Sequence, residues 1–267
     1  MKLTLITINL RYAEAKDGEQ SWGNRRPIMA EMLREYHPDI FGVQEGLRIQ
    51  LDELIEELLG YAVFGEGRDG FDRSEHVAIF YNAHRLYCLE GHTFWLSETP
   101  EIPGSKSWDS SLSRLVTWGR FQVKPTGVPF CFYNTHFDHR SELARQRSAQ
   151  LVWSRVRDRQ GITFLVGDFN CTEESFVWQY LAGKTGDFID VWHVAEERRN
   201  PVSTYHGYRG PQEENQRIDW ILMRPALRVL KAETVIYQKN GLYASDHFAV
   251  YAEVEMPDER NDDGIVK

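Results

Sequence analysis

The sequence predicts an α/β (α+β) protein in which two β-sheets pack face to face and helices cover their outer faces. Predicted strands greatly outnumber predicted helices, and several of them follow one another at the spacing of β-hairpins. In addition, no internal repeat, low-complexity tract or linker rich in Pro, Gly and Ser divides the 267 residues, which favours one domain over two. We therefore predict a single domain over residues 1–256, followed by a polar tail at 257–267.

Four segments have the hydrophobic spacing or the capping residues of helices. Leu51, Leu54 and Leu58 recur at helical spacing. Gly60 stops this pattern, so a helix is predicted over residues 47–59. The other predicted helices are residues 27–36, a helix that Ser141 caps and that runs to about residue 159, and residues 175–181.

Runs rich in β-branched and aromatic residues predict the strands. In the first run, residues 3–10, threonines alternate with aliphatic residues, as in a half-buried strand. The remaining strand predictions are residues 40–43, 77–81, 87–96, 114–123, 130–134, 163–166, 218–223, 227–237 and 248–254. Long polar loops are predicted at residues 65–76, 97–113 and 195–217. Loops of this length are usually functional or disordered.

The charge balance restricts the class of partner. Forty Asp and Glu residues against 31 Lys and Arg residues give a net charge of −9. A protein that binds long nucleic acid through its phosphates normally carries the opposite sign. A bound metal ion can still invert the local field. We therefore expect a small molecule or a short single strand of nucleic acid as the partner, and a monomeric protein.

The cellular setting expected from the sequence is the cytoplasm, without a membrane partner. Cys88, Cys131 and Cys171 are an odd number of cysteines without CxxC spacing, which favours a reducing compartment. The N-terminal run alternates and therefore does not resemble the apolar part of a signal peptide. No run of about 18 apolar residues predicts a membrane span.

Polar clusters follow several predicted strands at the point where the apolar run ends. They are Gln44-Glu45, Asn-Thr-His-Phe-Asp-His at 134–139, Gly-Asp-Phe-Asn at 167–170, Ile-Asp-Trp at 218–220 and Ser-Asp-His at 245–247. Strands that end in such groups build one polar pocket at the rim of a rigid core. Oxygen-rich ligands suit Mg²⁺, or Mn²⁺, better than zinc. The pattern predicts a metal-dependent hydrolase.

Each cluster also has a structural alternative. Glu45 ends an apolar strand, so its carboxylate must be solvated, paired or metal-bound; it could instead sit at the N-terminus of the following helix. Asp168 and Asn170 can point together into a cleft, but the same tetrapeptide could form an Asx-turn. Asn9, at the end of the first strand, could equally make a turn.

The histidines and arginines need partners to be functional. His136 and Asp138 are two residues apart and should share one strand face. His247 needs an acceptor to fix its tautomer, and Asp219 is the candidate. Arg114 could contact an anionic group of the substrate or lie on a solvated strand edge, and Arg120 is the weaker candidate for such a contact. The predicted substrate-binding set is Arg114, Asn134, Asp138 and His206.

In their order along the chain, these motifs resemble the endonuclease/exonuclease/phosphatase superfamily over residues 3–256, a group that includes DNase I. The resemblance rests on Asn9, Gln44-Glu45 and the clusters at 134–136, 167–170, 218–221 and 245–247. Residues 113–121 and 204–208 look like a bacterial branch of the group. The resemblance implies a four-layer α/β/β/α sandwich with two mixed sheets and helices outside.

The resemblance also implies a role for each residue. Glu45 would hold the divalent metal, with Asn9 and Asp246 nearby. Asp168 would activate or orient the attacking water, and Asn170 would orient the phosphate. The remaining implied roles are a base or phosphate-stabilising pair, Asp219 with His247, and stabilisation of the phosphorane or leaving oxygen by His136.

Two departures from the superfamily pattern narrow the expectation. Arg11 stands where several nucleases carry a carboxylate or a small residue, which favours one essential metal. His136 stands where the abasic-site nucleases carry Tyr, which argues against that specialisation. The leading expectation is Mg²⁺-dependent phosphodiester hydrolysis by in-line attack of an activated water. The alternatives are a phosphomonoesterase on a small nucleotide, sugar or inositol phosphate, and a non-catalytic binding module.

Overall fold

Two β-sheets form the centre of the computed structural model, which describes residues 1–124, 126–213 and 216–258. The strands are β1 (Lys2–Asn9), β2 (Ile40–Gly46), β3 (Tyr61–Gly67), β4 (His76–Asn82), β5 (Leu86–Trp95), β6 (Leu115–Val123), β7 (Pro129–His136), β8 (Ile162–Asp168), β9 (Ile189–Asp190), β10 (Glu197–Arg199), β11 (Asp219–Arg224), β12 (Val229–Val235), β13 (Gln238–Lys239), β14 (Leu242–Tyr243) and β15 (Ala249–Glu255). The helices are α1 (Trp22–Tyr36), α2 (Arg48–Glu57), α3 (Glu142–Val156), α4 (Phe176–Ala182) and α5 (Val191–Val194). The predicted tail at 257–267 lies outside the described residues from residue 259 onward, and the single-domain prediction stays a prediction.

Each large sheet is mixed. The first has seven strands in the order β10-β12-β15-β1-β2-β4-β3, and the second has six in the order β5-β6-β7-β8-β11-β9. In the first sheet β1 runs parallel to β2 and antiparallel to β15. In the second, β8 runs parallel to β7 and antiparallel to β11. The predicted fold class is confirmed.

The two sheets pack face to face, and helices cover both outer faces. Successive side chains of a strand point to opposite sides, so Leu5 of β1 joins the core between the sheets while Ile6 faces the helices. Met29 of α1 lies in the cluster that covers the first sheet. Val152 of α3 and Leu181 of α4 lie in the cluster that covers the second sheet. The layers are those of the four-layer sandwich.

Helix α1 and strand β3 are the two longer elements that differ from the sequence-based expectation. Helix α1 begins at Trp22 rather than near Pro27, so the proline lies inside the helix, where it cannot donate a backbone hydrogen bond. Strand β3 was not predicted, although it pairs with β4 along its whole length. Gly65 and Gly67 weaken its strand pattern, because glycine has low β-propensity.

The longest described helices, α1 and α3, have 15 residues each. Within the described ranges, no helix is both long and apolar enough to cross a bilayer.

Candidate active site

Polar side chains from both sheets meet where several strands end. In the second sheet β8 lies between β7 and β11, and the register pairs Asp168 with both His136 and Asp219. In the first sheet the register pairs Asn9 at the end of β1 with Gln44 of β2. Residues paired across neighbouring strands project from the same face of a sheet. Strand register therefore brings the predicted residues together.

Aromatic residues fix these strand ends from the opposite face. Phe137, Phe169 and Trp220 each directly follow one of the three paired polar residues, and all three are fully buried. The Phe169 ring stacks on Trp220 with centroids 4.5 Å apart and meets Phe137 edge-on at 5.1 Å. Such a packed aromatic cluster limits the motion of the backbone that carries the polar groups.

A buried amide network connects the two sheets directly beneath the site. The Gln44 amide nitrogen donates to Thr7 Oγ1 at 3.0 Å and to Asn134 Oδ1 at 2.7 Å. The Asn134 amide nitrogen donates to backbone carbonyls of β2 and β4 at 2.9 and 2.8 Å. A Cβ at Gly42 would lie 2.6 Å from the Asn134 carboxamide, so glycine is needed there. The predicted substrate contact by Asn134 is therefore corrected: its side chain holds the sheets together.

A cavity of about 520 Å³ opens over the strand ends. The predicted residues in its lining are Glu45, Arg114, His136, Asp168, Asn170, Asp246 and His247. Residues in the lining that were not predicted as site residues include Arg11, Tyr12, Glu75, His139, Arg140 and Tyr205. Most of the second set comes from loops, whose sequences carry no periodic signal.

Asp168 is the buried centre of the site. Its Oδ1 accepts from the backbone N–H of Asn170 at 2.9 Å, and its Oδ2 accepts from the Asn9 amide at 3.1 Å. The same Oδ2 lies 3.5 Å from His136 Nε2 and 3.9 Å from His247 Nε2. Burial, with the charge of Asp219, raises the pKa of Asp168 to about 7. This carboxylate can accept a proton near neutral pH.

The predicted Asp219–His247 pair is present. His247 Nδ1 lies 3.0 Å from Asp219 Oδ2, and this contact directs the other ring nitrogen towards Asp168. Burial lowers the pKa of His247, but the charges of Asp219 and Asp168 more than offset this effect and raise it above its ordinary value. His136 differs, because burial and then the charge of Arg114 lower its pKa well below the ordinary value. One histidine therefore favours the charged form and the other the neutral form.

Glu45 lies at a bulge in β2 with a left-handed backbone, φ 59°. A non-glycine residue in this conformation is strained, and such strain is common at functional sites. Its Oε1 accepts from the Asn9 amide nitrogen at 3.1 Å, while the Asn9 oxygen accepts from the Arg11 N–H at 2.9 Å. Asn9 therefore bridges the Glu45 and Asp168 carboxylates by hydrogen bonds, and its predicted place near the metal stays a prediction.

Among the residues that the structure describes, three groups of acidic and histidine residues have the spacing of metal ligands, with ligand atoms within 4.8 Å of one another. They are Glu45 with Glu75 and His136, Asp168 with Asp219 and His247, and Glu173 with Asp190 and His193. The first group faces the cavity next to Asp246. Carboxylate oxygens are the donors that hard divalent cations prefer. The residues around Glu45 therefore fit such an ion.

The structure also corrects the predicted substrate contacts of Asp138 and His206, because both side chains are buried. Asp138 does not project with His136 but accepts hydrogen bonds from the backbone of Ser111 at 2.9 Å and of Ser141 at 2.7 Å. Burial would raise the pKa of Asp138, but hydrogen bonds from the Ser111 side chain and from the backbone of Ser141 and Arg140 lower it below its ordinary value. His206 is buried and stacks on Phe248 with ring centroids 3.8 Å apart, away from the cavity lining.

The chain matches the model of the Endonuclease/Exonuclease/phosphatase family over residues 7–247. It is 35% identical to a protein of that family from Bacteroides thetaiotaomicron, with a TM-score of 0.90 and 95% of each chain covered. It is also 35% identical to the mannosyl-6-phosphatase Bt3783 of the same organism, with a TM-score of 0.89, covering 95% of this chain and 100% of the other. Over 178 residues it is 28% identical to an uncharacterized protein of Acanthamoeba polyphaga mimivirus, a match that spans 62% of this chain and 65% of the viral protein.

Proposed function

The chain belongs to the endonuclease/exonuclease/phosphatase family, whose members hydrolyse phosphoesters, and on this basis we propose that it is a divalent-metal-dependent phosphomonoesterase. Its substrate would be a small phosphorylated molecule such as a sugar phosphate. The observation that carries this proposal is the lining of the cavity. Four arginines, Arg11, Arg68, Arg114 and Arg140, surround a volume of about 520 Å³ directly over Asp168.

The size of the cavity and its four guanidinium groups favour a compact, doubly charged phosphate group. A terminal phosphate carries nearly two negative charges at neutral pH, and guanidinium groups match its oxygens well. The net charge of −9 of the whole chain should repel a long polyanion. The sequence alone favoured a phosphodiester, and the arginine-lined cavity shifts the preference to a monoester. The similar Bacteroides protein named mannosyl-6-phosphatase supports a sugar phosphate.

Glu45 and Asp246 are the residues proposed to hold the metal, and Mg²⁺ is the proposed ion. Both carboxylates line the same cavity, and burial raises the pKa of Asp246, so a cation there would compensate a costly negative charge. When bound, a divalent ion would neutralise charge on the phosphate oxygens.

The chain's own residues supply the remaining chemistry. Asp168 is proposed to take the proton of the attacking water, because Asn9 and the Asn170 backbone hold its carboxylate and its pKa is raised to about 7. His247, oriented by Asp219 at 3.0 Å, is proposed to stabilise phosphate charge through its Nε2. His136, which burial keeps neutral by lowering its pKa, would stabilise the leaving oxygen.

A substrate panel tests the proposal. We expect hexose 6-phosphates and other small monoesters to be hydrolysed faster than phosphodiesters, short single strands or duplex DNA. Chelator should abolish the activity, and Mg²⁺ or Mn²⁺ should restore it. Glu45→Gln should lower kcat/KM by about 10²-fold or more, because the metal loses its main carboxylate.

Glu173→Gln is the matched control, since Glu173 lies in the acidic group outside the cavity. It should keep wild-type kcat/KM at a temperature where the variant is folded. Full activity in chelator, equal losses in the two variants, or preferred cleavage of duplex DNA would each contradict the proposal.

A further inference from the structure

Arg114 differs from the other buried arginines in how its charge is compensated. In the described part of the chain the buried arginines are Arg25, Arg114 and Arg217. Arg25 donates to four backbone carbonyls, and Arg217 donates to the carboxylates of Glu173 and Asp190. A buried cation normally needs such partners, because desolvation of a charge is costly.

The Arg114 guanidinium has far fewer hydrogen-bond and charge partners than the Arg25 guanidinium. Its only side-chain hydrogen bond in the described residues is from Nη2 to His139 Nδ1 at 3.2 Å, and its Nε is buried without any partner. No carboxylate oxygen of the described residues lies within 4.0 Å of it. The carboxylate whose charge acts most strongly on Arg114 is that of Glu75, and it is already paired with Arg68 at 2.6 Å. Arg114 is 5% exposed, and that exposure is to the cavity.

His139 fixes the direction of this guanidinium. Its Nδ1 can accept from Arg114 only when that nitrogen carries no proton, so the neutral ring bears its proton on Nε2. Both residues line the cavity together with His136 and Asp168. The cavity therefore presents an incompletely compensated guanidinium, held by a neutral ring, beside the groups assigned to the reaction.

We propose that Arg114, positioned by His139, binds the phosphate oxygen that carries the additional charge of a phosphomonoester and so makes the site prefer monoesters to diesters. This inference rests on the phosphoesterase function proposed above. A phosphomonoester has a second pKa near 6 and is mostly a dianion above pH 7, whereas a diester has one charge fewer. The extra negative oxygen would supply the counter-charge that no carboxylate of the described residues gives Arg114 within 4.0 Å.

The test compares 4-nitrophenyl phosphate with its methyl ester, which share a leaving group and differ in the second charge. In Arg114→Gln we expect kcat/KM for the monoester to fall about 10- to 100-fold. The ratio of monoester to diester kcat/KM should fall at least about tenfold. Arg114→Lys should recover part of the ratio, because it keeps the charge but not the fork of donors. Inhibition by inorganic phosphate should weaken in parallel with the ratio.

Arg120→Gln is the matched control, because Arg120 lies six positions along on β6, its side chain is 49% exposed, and it is absent from the cavity lining. It should leave the ratio unchanged. His139→Leu should lower the ratio several-fold, and His139→Asn should restore it by supplying an acceptor near the Nδ1 position.

The outcomes distinguish a failure of the proposed phosphomonoesterase function from a failure of the role proposed for Arg114. If the wild-type protein hydrolyses neither ester, or only the methyl ester, the proposed function fails. If it prefers the monoester and a folded Arg114→Gln variant keeps that preference, only the role of Arg114 is overturned. If the Arg114 variants do not fold, His139→Leu decides: a lowered ratio supports the inference, and an unchanged ratio overturns it.

Discussion

The cavity over Asp168 and the cluster around Arg217 contain the same kinds of residues in opposite electrostatic states. Both combine carboxylates and a histidine at the spacing of metal ligands. In the second cluster Arg217 is fully buried and pairs with Glu173 and with Asp190, the latter at 2.7 Å. His193 lies 2.7 Å from the same Glu173 carboxylate. The protein's own cations fill this cluster.

The carboxylate pKa values record the difference. Burial would raise the pKa of Glu173, but His193 and Arg217 lower it to about 2. Asp168 moves the other way, to about 7, because burial and the neighbouring Asp219 outweigh the opposing charge of His247. In the Arg217 cluster the carboxylates are paired with cations of the protein itself. The site around Asp168 retains negative charge that a substrate group, a proton or a cation can compensate. Residue type and spacing are therefore weaker guides to function than the compensation of charge.

The largest expected effect is the loss of activity when the site around Asp168 is changed. Asp168→Asn should lower kcat about 10³- to 10⁴-fold, because the carboxylate that takes the water's proton is lost. The free energy of unfolding should not fall, since the change removes a buried charge that Asp219 repels and keeps an acceptor for the Asn170 N–H. Steady-state kinetics and urea denaturation measure the two effects.

Combining Asp168→Asn with His247→Ala should cost less than the product of the single losses, because the two residues act as one unit. Near-normal turnover in Asp168→Asn would remove this residue from the chemistry.

The second difference concerns stability. Arg217→Met should lower the free energy of unfolding by about 3–5 kcal/mol, because it leaves Glu173 and the buried Asp190 without their shared cation. At a temperature where the variant is folded, kcat should stay within about tenfold of wild type, since Arg217 does not line the cavity. A stable variant with strongly reduced kcat would mean that the two clusters do not differ in the way described.

The smallest difference is a pH effect within the Arg217 cluster. The hydrogen bond to Glu173 raises the pKa of His193 above 6.5. The contribution of the protonated His193 is therefore complete below pH 6.5 as long as Glu173 is ionised, and it is lost as the pH rises through the folded-state pKa of His193. Wild type should exceed His193→Gln in unfolding free energy more at pH 6 than at pH 9. The change should be only about a few tenths of a kcal/mol, because the His193 side chain is 43% exposed; an equal difference at both pH values would contradict it.

The part of the site that could be predicted from sequence lies at the ends of apolar strands. Asp168, Asp219 and His247 follow or precede clear strand patterns, and the structure brings them together. Asn134 and His206 have equally polar sequence contexts, but their side chains are used inside the protein. A polar residue at a strand end can face a cavity or the interior, and alternation alone does not distinguish the two.

The pattern of apolar runs was sufficient to predict two sheets, helices on their outer faces and a polar site at the strand ends, because burial of alternating or helical apolar faces follows directly from local spacing. The compensation of each charge depended on chain packing. Arg217 reaches Asp190 across 27 residues, and Arg114 reaches His139 across 25. Coulomb and desolvation energies depend on distance in space and on burial, neither of which is written in the spacing of residues along the chain.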